Sequence, residues 1–248
     1  MIEAVATPDA AITNVGKTVA MALLMGLGIT AVGTLPWVML IRLNAREYPE
    51  SPWAAVTTAC WLVIMLVWLS GRGWPHRTSA FRQFHCRLWR PQPGVWSGDS
   101  LATILSLIGA MVGLSVVYVL MGASRPPADL SAYPTTAIRF SVLLMGPMVA
   151  GVVEEVAFRG YMQRHLERIG PTFAILVTSA AFTLAHATHG LAYLLAVAPG
   201  FFLASVVYGH LALKSGSIVP GMALHFAGDL AFAYFALLGG ESALLFAK

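Results

Sequence analysis

Five ionisable side chains stand in stretches that are otherwise apolar. Glu154 and Glu155 occur in Val-Val-Glu-Glu-Val-Ala-Phe-Arg-Gly, His186 closes Phe-Thr-Leu-Ala-His, and His225 and Asp229 bound His-Phe-Ala-Gly-Asp. A carboxylate at the centre of a membrane helix costs about 2.5–3.5 kcal/mol on insertion scales, so such placements call for a function. Glu155 and Arg159 are four apart and share a helical face, where an ion pair lessens the cost of both charges. Glu154, about 100° further round the helix, has no partner on it. An apolar surrounding disfavours the charged form of an unpaired carboxylate and so suits it to take up a proton as a general base. His225 and Asp229 are also four apart, a spacing at which a carboxylate fixes the tautomer of an imidazole. Taken singly, each pair reads equally as packing: a structural ion pair in one case, an interhelical hydrogen bond in the other.

A carboxylate and two imidazoles can polarise water for hydrolysis, with or without a metal, or can relay protons. The sequence holds no His-Glu-x-x-His zinc helix, no Gly-x-Ser-x-Gly elbow and no second Asp-bearing span for an aspartic dyad, which leaves glutamate with histidine as the hydrolytic reading. The remaining histidines weigh less. His76 and His85 lie in a basic loop, His165 is on an amphipathic extension and His189 adjoins a helix end, all sites of ordinary solvated histidine; His210 reads as a helix-end capping residue, with a supporting place beside the site as the alternative. Cys60 and Cys86 form no Cys-x-x-Cys pair, which excludes a disulfide framework and a Cys-rich zinc site.

The elements that must position these residues are membrane helices. Of 248 residues 58% are hydrophobic and 10% charged, with mean hydropathy +0.74, where a soluble domain carries about 25% charged residues. The net charge of +4 is unevenly spread and marks topology, with no nucleic-acid surface implied. A span needs about 20 apolar residues, and the sequence predicts seven: 18–41, 53–70, 100–123, 137–158 continuing as a helix to about 168, 171–189, 191–213 and 217–238. The first is read as a retained transmembrane helix, because Glu3 and Asp9 precede its first base, Lys17, and no Ala-x-Ala stop ends it. Arg72, Arg77, Arg82, Arg87 and Arg90 place loop 71–99 in the cytoplasm, and alternation puts the N-terminus there too. Glu154 and His186 flank Gly170-Pro171 at equal distance, so an antiparallel hairpin brings them to one height. One integrated membrane domain, 1–248, then divides into helices without a motif, 1–136, and the motif-bearing helices, 137–240.

Glu154-Glu155-x-x-x-Arg159, Phe182-x-x-x-His186 and His225-x-x-x-Asp229, in this order on separate helices, resemble the three motifs of the CAAX-processing and bacteriocin-processing (CPBP, Abi, Rce1-like) intramembrane proteases. The resemblance covers about 140–235, including Phe158-Arg159-Gly160-Tyr161 and the turn Lys214 to Gly221. It implies an all-α membrane bundle and an endopeptidase acting on a peptide or lipid-anchored protein, with membrane lipid as its surroundings. It further implies Glu154 and His186 as activators of the attacking water, His225 and Asp229 as oxyanion stabilisers or substrate positioners, and Glu155 with Arg159 as the structural pair. The prenyl-protein branch has Asn at the last position, whose amide donates; an ionised Asp229 only accepts. The family has been described both as metalloproteases and as glutamate proteases. A metal-free site is the reading favoured here, with Zn²⁺ held by Glu154, His186, His225 and Asp229 as the alternative. Two other functions stay open: a proton-coupled transporter, against which no inverted repeat is found, and a non-catalytic immunity or scaffold protein.

Overall fold

The computed structural model describes residues 8–69, 105, 109, 135–189 and 191–230. The architecture is all-helical, as expected. Helix α1 is Pro8–Glu47, α2 is Trp53–Leu69, α3 is Thr136–Leu166, α4 is Pro171–Ala185, α5 is Leu191–Ser215, and α6 comprises residues 219–230. A 3₁₀ turn, His186–His189, follows α4. Each coincides with an expected span. Basic loop 71–99, residues 231–238 of the last expected span and, apart from positions 105 and 109, span 100–123 lie outside the described residues. The helix bounds differ from the hydropathy bounds for a physical reason. At 1.5 Å per residue α1 is roughly 60 Å long, about twice a hydrocarbon core, so the apolar run 18–41 is only its middle. Conversely α4 stops at Ala185, short of 189, and His186 is its C-cap.

Two helical stretches, Asn14–Glu47 and Thr136–Leu166, are long and apolar enough to cross a membrane. Among the described residues the outward faces are as apolar as the inward ones: Leu24, Val32, Leu35 and Met39 on α1, Val63 on α2 and Leu184 on α4 are all exposed. The inward face of α1 carries the small or polar Ala22, Gly26, Gly33 and Asn44 at helical spacing, together with the buried Trp37 and Ile41. A helix apolar all round belongs in a core or a bilayer.

Buried polar side chains close the connections. Asn44, with no exposure, donates from Nδ2 to the carbonyls of Tyr48 and Ser51, both at 2.7 Å, and accepts from the Ala54 amide at 2.9 Å. One amide thus satisfies the end of α1 and the start of α2. Thr135 caps α3 by accepting from the Ile138 amide at 3.3 Å, and its hydroxyl donates to the Pro49 carbonyl, tying α3 to the same turn. Between α5 and α6, Gly216 takes φ 63°, and Ser217 Oγ accepts from the Val219 amide at 3.2 Å, starting α6 in the predicted Lys214 to Gly221 turn.

The α1–α3 contact depends on two glycines seven residues apart. A Cβ on Gly33 would stand 2.4 Å from Val153 Cγ1, and one on Gly26 would stand 2.4 Å from Met162 Cε. Small residues let membrane helices approach closely. The two collisions differ in kind: Val153 is short, branched and fully buried, whereas Met162 ends in a flexible thioether. Gly33→Ala is therefore expected to cost about 1–3 kcal/mol as overpacking, and Gly26→Ala less. Thermal unfolding of the detergent-solubilised variants checks the order, and equal midpoints would refute it.

Candidate active site

The centre of α3 is wound more widely than an α-helix. Ala150–Gln163 forms a π-helix, with hydrogen bonds from residue i to i+5, and begins three residues after Pro147, whose missing N–H deletes a rung of the ladder. A wider turn separates neighbouring side chains by a smaller angle. Glu154 and Glu155 accordingly do not diverge as an α-helix would make them: both reach one imidazole, that of His225 on α6. Glu155 Oε1 accepts from His225 Nδ1 at 3.0 Å, and Glu154 Oε2 lies 3.9 Å from His225 Nε2. Asp229 Oδ2 stands 3.5 Å from the same Nε2. The imidazole sits among three carboxylates with its Nδ1 proton committed to Glu155, which leaves Nε2 facing Glu154 and Asp229.

Glu155 also binds Arg159. Its Oε1 accepts from Nη1 at 2.8 Å, and both side chains are wholly excluded from solvent. The predicted pair is present and does more than balance charge, because a single oxygen joins Arg159 to His225. Arg159 Nη2 donates to the hydroxyl and the carbonyl of Ser205 on α5, at 2.6 and 3.1 Å. The guanidinium carbon lies 4.8 Å from the ring centroid of Phe182, 5.2 Å from that of Tyr208 and 6.0 Å from that of Phe158. A planar, weakly hydrated cation stacks on such rings while its N–H groups still reach Glu155 and Ser205. Glu155 Oε2 packs against α6, where a Cβ on Gly221 would be only 2.8 Å away. One turn on, Gln163 repeats the pattern, donating to the Gly209 carbonyl at 2.9 Å and to Glu167 at 3.2 Å.

His186 reaches the cluster along the edge of Phe182. Its Nδ1 donates to the Phe182 carbonyl at 2.8 Å, and because a carbonyl only accepts, the neutral ring carries its lone pair on Nε2. The Phe182 ring lies 4.9 Å from His186 and 5.8 Å from His225, centroid to centroid, and so adjoins both imidazoles. Phe201 of α5 also packs on His186, at 4.3 Å, beside Phe182. An open apolar groove between α3 and α6, lined by Met148, Val152, Met222 and Phe226 among others, adjoins the turn that bears the carboxylates.

Glu154, Glu155, His225 and Asp229 fall on the helices expected to carry them, His186 stands just past the end of α4 as its C-cap, and α5 adds residues that sequence reasoning missed. Ser205 and Tyr208 are three apart on one face, and Gln163 and Glu167 extend the four-residue stripe begun by Glu155 and Arg159. That stripe, and the five donors of a buried Arg, were the available signals. Two histidines are corrected. His165, expected solvated, is buried at 8% exposure, because the extension of α3 turns it inward. His210 lies within α5 and not at its end, since the helix runs on to Ser215. Among the described residues no three His, Cys, Asp or Glu side chains are grouped to hold a metal ion. With Nδ1 on Glu155, His225 turns Nε2 toward Glu154 and Asp229, two other members of the alternative Zn²⁺ set.

Residues 136–231 match the family model for type II CAAX prenyl endopeptidase Rce1-like proteins. This stretch is an Rce1-like domain. It takes in α3 to α6 and every residue of the cluster, and the Rce1-like family is one of membrane-embedded proteases. Neither a curated protein nor a solved structure matches the chain.

Removing Arg159 from the Rce1-like domain strands Glu155 as a buried charge. Arg159→Met is expected to lower stability by about 3–5 kcal/mol. Arg159→Lys should recover only part of this, because one ammonium cannot serve Glu155, Ser205 and two rings together. Unfolding midpoints in detergent measure both, and a wild-type midpoint for Arg159→Met would show that the pair does not hold the site.

Proposed function

We propose that the chain is a multi-pass intramembrane endopeptidase that hydrolyses a peptide bond in a membrane-associated peptide or lipid-anchored protein, in the manner of CAAX processing. The observation that carries this reading is the Glu154 carboxylate, mostly buried and facing His225 Nε2 at 3.9 Å, within the Rce1-like segment. That separation is too long for a direct hydrogen bond and suits a bridging water.

In this mechanism the water oxygen attacks the carbonyl carbon, its proton passes to Glu154, and the carbonyl π pair moves onto oxygen. As the C–N bond breaks, its electron pair goes to nitrogen, which takes the proton back from Glu154; a carboxylic acid and an amine result. His186, with its lone pair on Nε2, assists Glu154 in orienting and deprotonating the water. His225 and Asp229 border the carbonyl. Glu155 and Arg159 hold His225 in place. No step is routed through a metal. The working half is 137–240, with α1 and α2 packed beside it and the N-terminus and loop 71–99 in the cytoplasm. The groove beside α6 gives a hydrophobic or lipid-bearing substrate an apolar approach to the carboxylates.

Replacing Glu154 by Gln keeps its shape and removes its basicity. Turnover should fall by about 100-fold or more, and His186→Ala should act in the same direction. The check compares peptide termini in membranes from cells carrying wild type and each variant at matched expression. Termini confined to wild type establish proteolysis and name the substrate; identical sets of termini would sink the reading.

A further inference from the structure

Hydrolysis places negative charge on the carbonyl oxygen, which must then be met by hydrogen-bond donors. The cluster is poor in them. Glu154, Glu155 and Asp229, when ionised, only accept. Arg159 directs Nη1 to Glu155 and Nη2 to Ser205, and the whole side chain, Nε included, is buried. The Nδ1 protons of His186 and His225 go to the Phe182 carbonyl and to Glu155 Oε1, so each neutral imidazole presents a lone pair at Nε2. A protonated His225 directs its second proton between Glu154 and Asp229, which compete for it.

Tyr208 is placed differently. Its ring stacks on His225, with centroids 4.9 Å apart and planes 18° from parallel, and Arg159 holds the same ring from 5.2 Å. The ring is thereby fixed, and the residue is only 5% exposed, so bulk water competes little for its hydroxyl. That hydroxyl reaches the turn of α6 that bears Gly228 and Asp229: a Cβ built on Gly228 would stand 3.8 Å from Oη.

We propose that the Tyr208 hydroxyl is an oxyanion donor of this site, supplying the hydrogen bond that the carboxylate of Asp229 cannot. The phenol has an O–H to give and keeps it at the pH where the carboxylates are ionised. The inference rests on the hydrolytic reading above, and its test separates the two.

The probe is a synthetic peptide spanning a cleavage site whose new terminus requires Glu154, incubated with the full-length protein in membranes. Tyr208→Phe keeps the stack and deletes only the hydroxyl. It is expected to lower kcat about 100-fold, with KM and the unfolding midpoint little changed. In an Asp229→Asn background, whose amide can donate, the same change should cost less than about fivefold relative to that parent, a coupling that a purely structural role would not show. Wild-type turnover by Tyr208→Phe while Glu154→Gln is inactive overturns this inference and leaves the hydrolytic reading standing, as does an equal loss in both backgrounds. If no terminus depends on Glu154, both fall.

Discussion

A guanidinium and a carboxylate with no exposure to solvent must find every partner inside the bundle, and the Glu155–Arg159 pair sets the terms on which α3, α4, α5 and α6 meet. Desolvating two ions costs several kcal/mol each, which only good geometry and further hydrogen bonds repay. The cost is offset here from three directions: Ser205 from α5, the rings of Phe182 and Tyr208 from α4 and α5, and His225 from α6. Because Glu155 Oε1 serves Arg159 and His225 together, the electrostatics that make the fold tolerable also fix the orientation of the ring facing Glu154. Structure and chemistry share one oxygen atom.

The rest of the bundle follows from packing between apolar surfaces inside and out. With lipid-like side chains on the outer faces, burial of hydrophobic area gives no preference for one helix neighbour over another, and closeness of approach takes its place. The glycines of α1 against Val153 and Met162, Gly209 against Gln163, and Gly221 against Glu155 are the points where this closeness is greatest. Polar side chains then appear where a helix ends or where two helices must be held in register, as Asn44, Thr135 and Gln163 show.

Local periodicity made part of this legible. The ion pair and the His225–Asp229 face follow from four-residue spacing on single helices, and the all-helical class follows from hydropathy. What escaped was whatever depends on two helices at once. Nothing in the residues near Glu155 says that a histidine seventy positions away will take its oxygen, and Ser205 and Tyr208 lie in a span whose apolar neighbours give no reason to single them out. Helix ends escaped for another reason: hydropathy registers oil, so it understates α1, which runs on through polar residues, and overstates α4, which ends when His186 caps it. The wide winding of α3 has no periodic signature at all, since Glu155 and Arg159 are close neighbours in either geometry.

That winding makes the segment a cam. Thr135 holds the start of α3 to the Pro49 carbonyl and Gln163 ties its later part to the Gly209 carbonyl, while the fourteen residues Ala150–Gln163 hold fewer turns than an α-helix of the same sequence would. Rewinding the segment as an α-helix would add less than about one turn and lengthen it, and so would carry Glu154 and Glu155 round against His225.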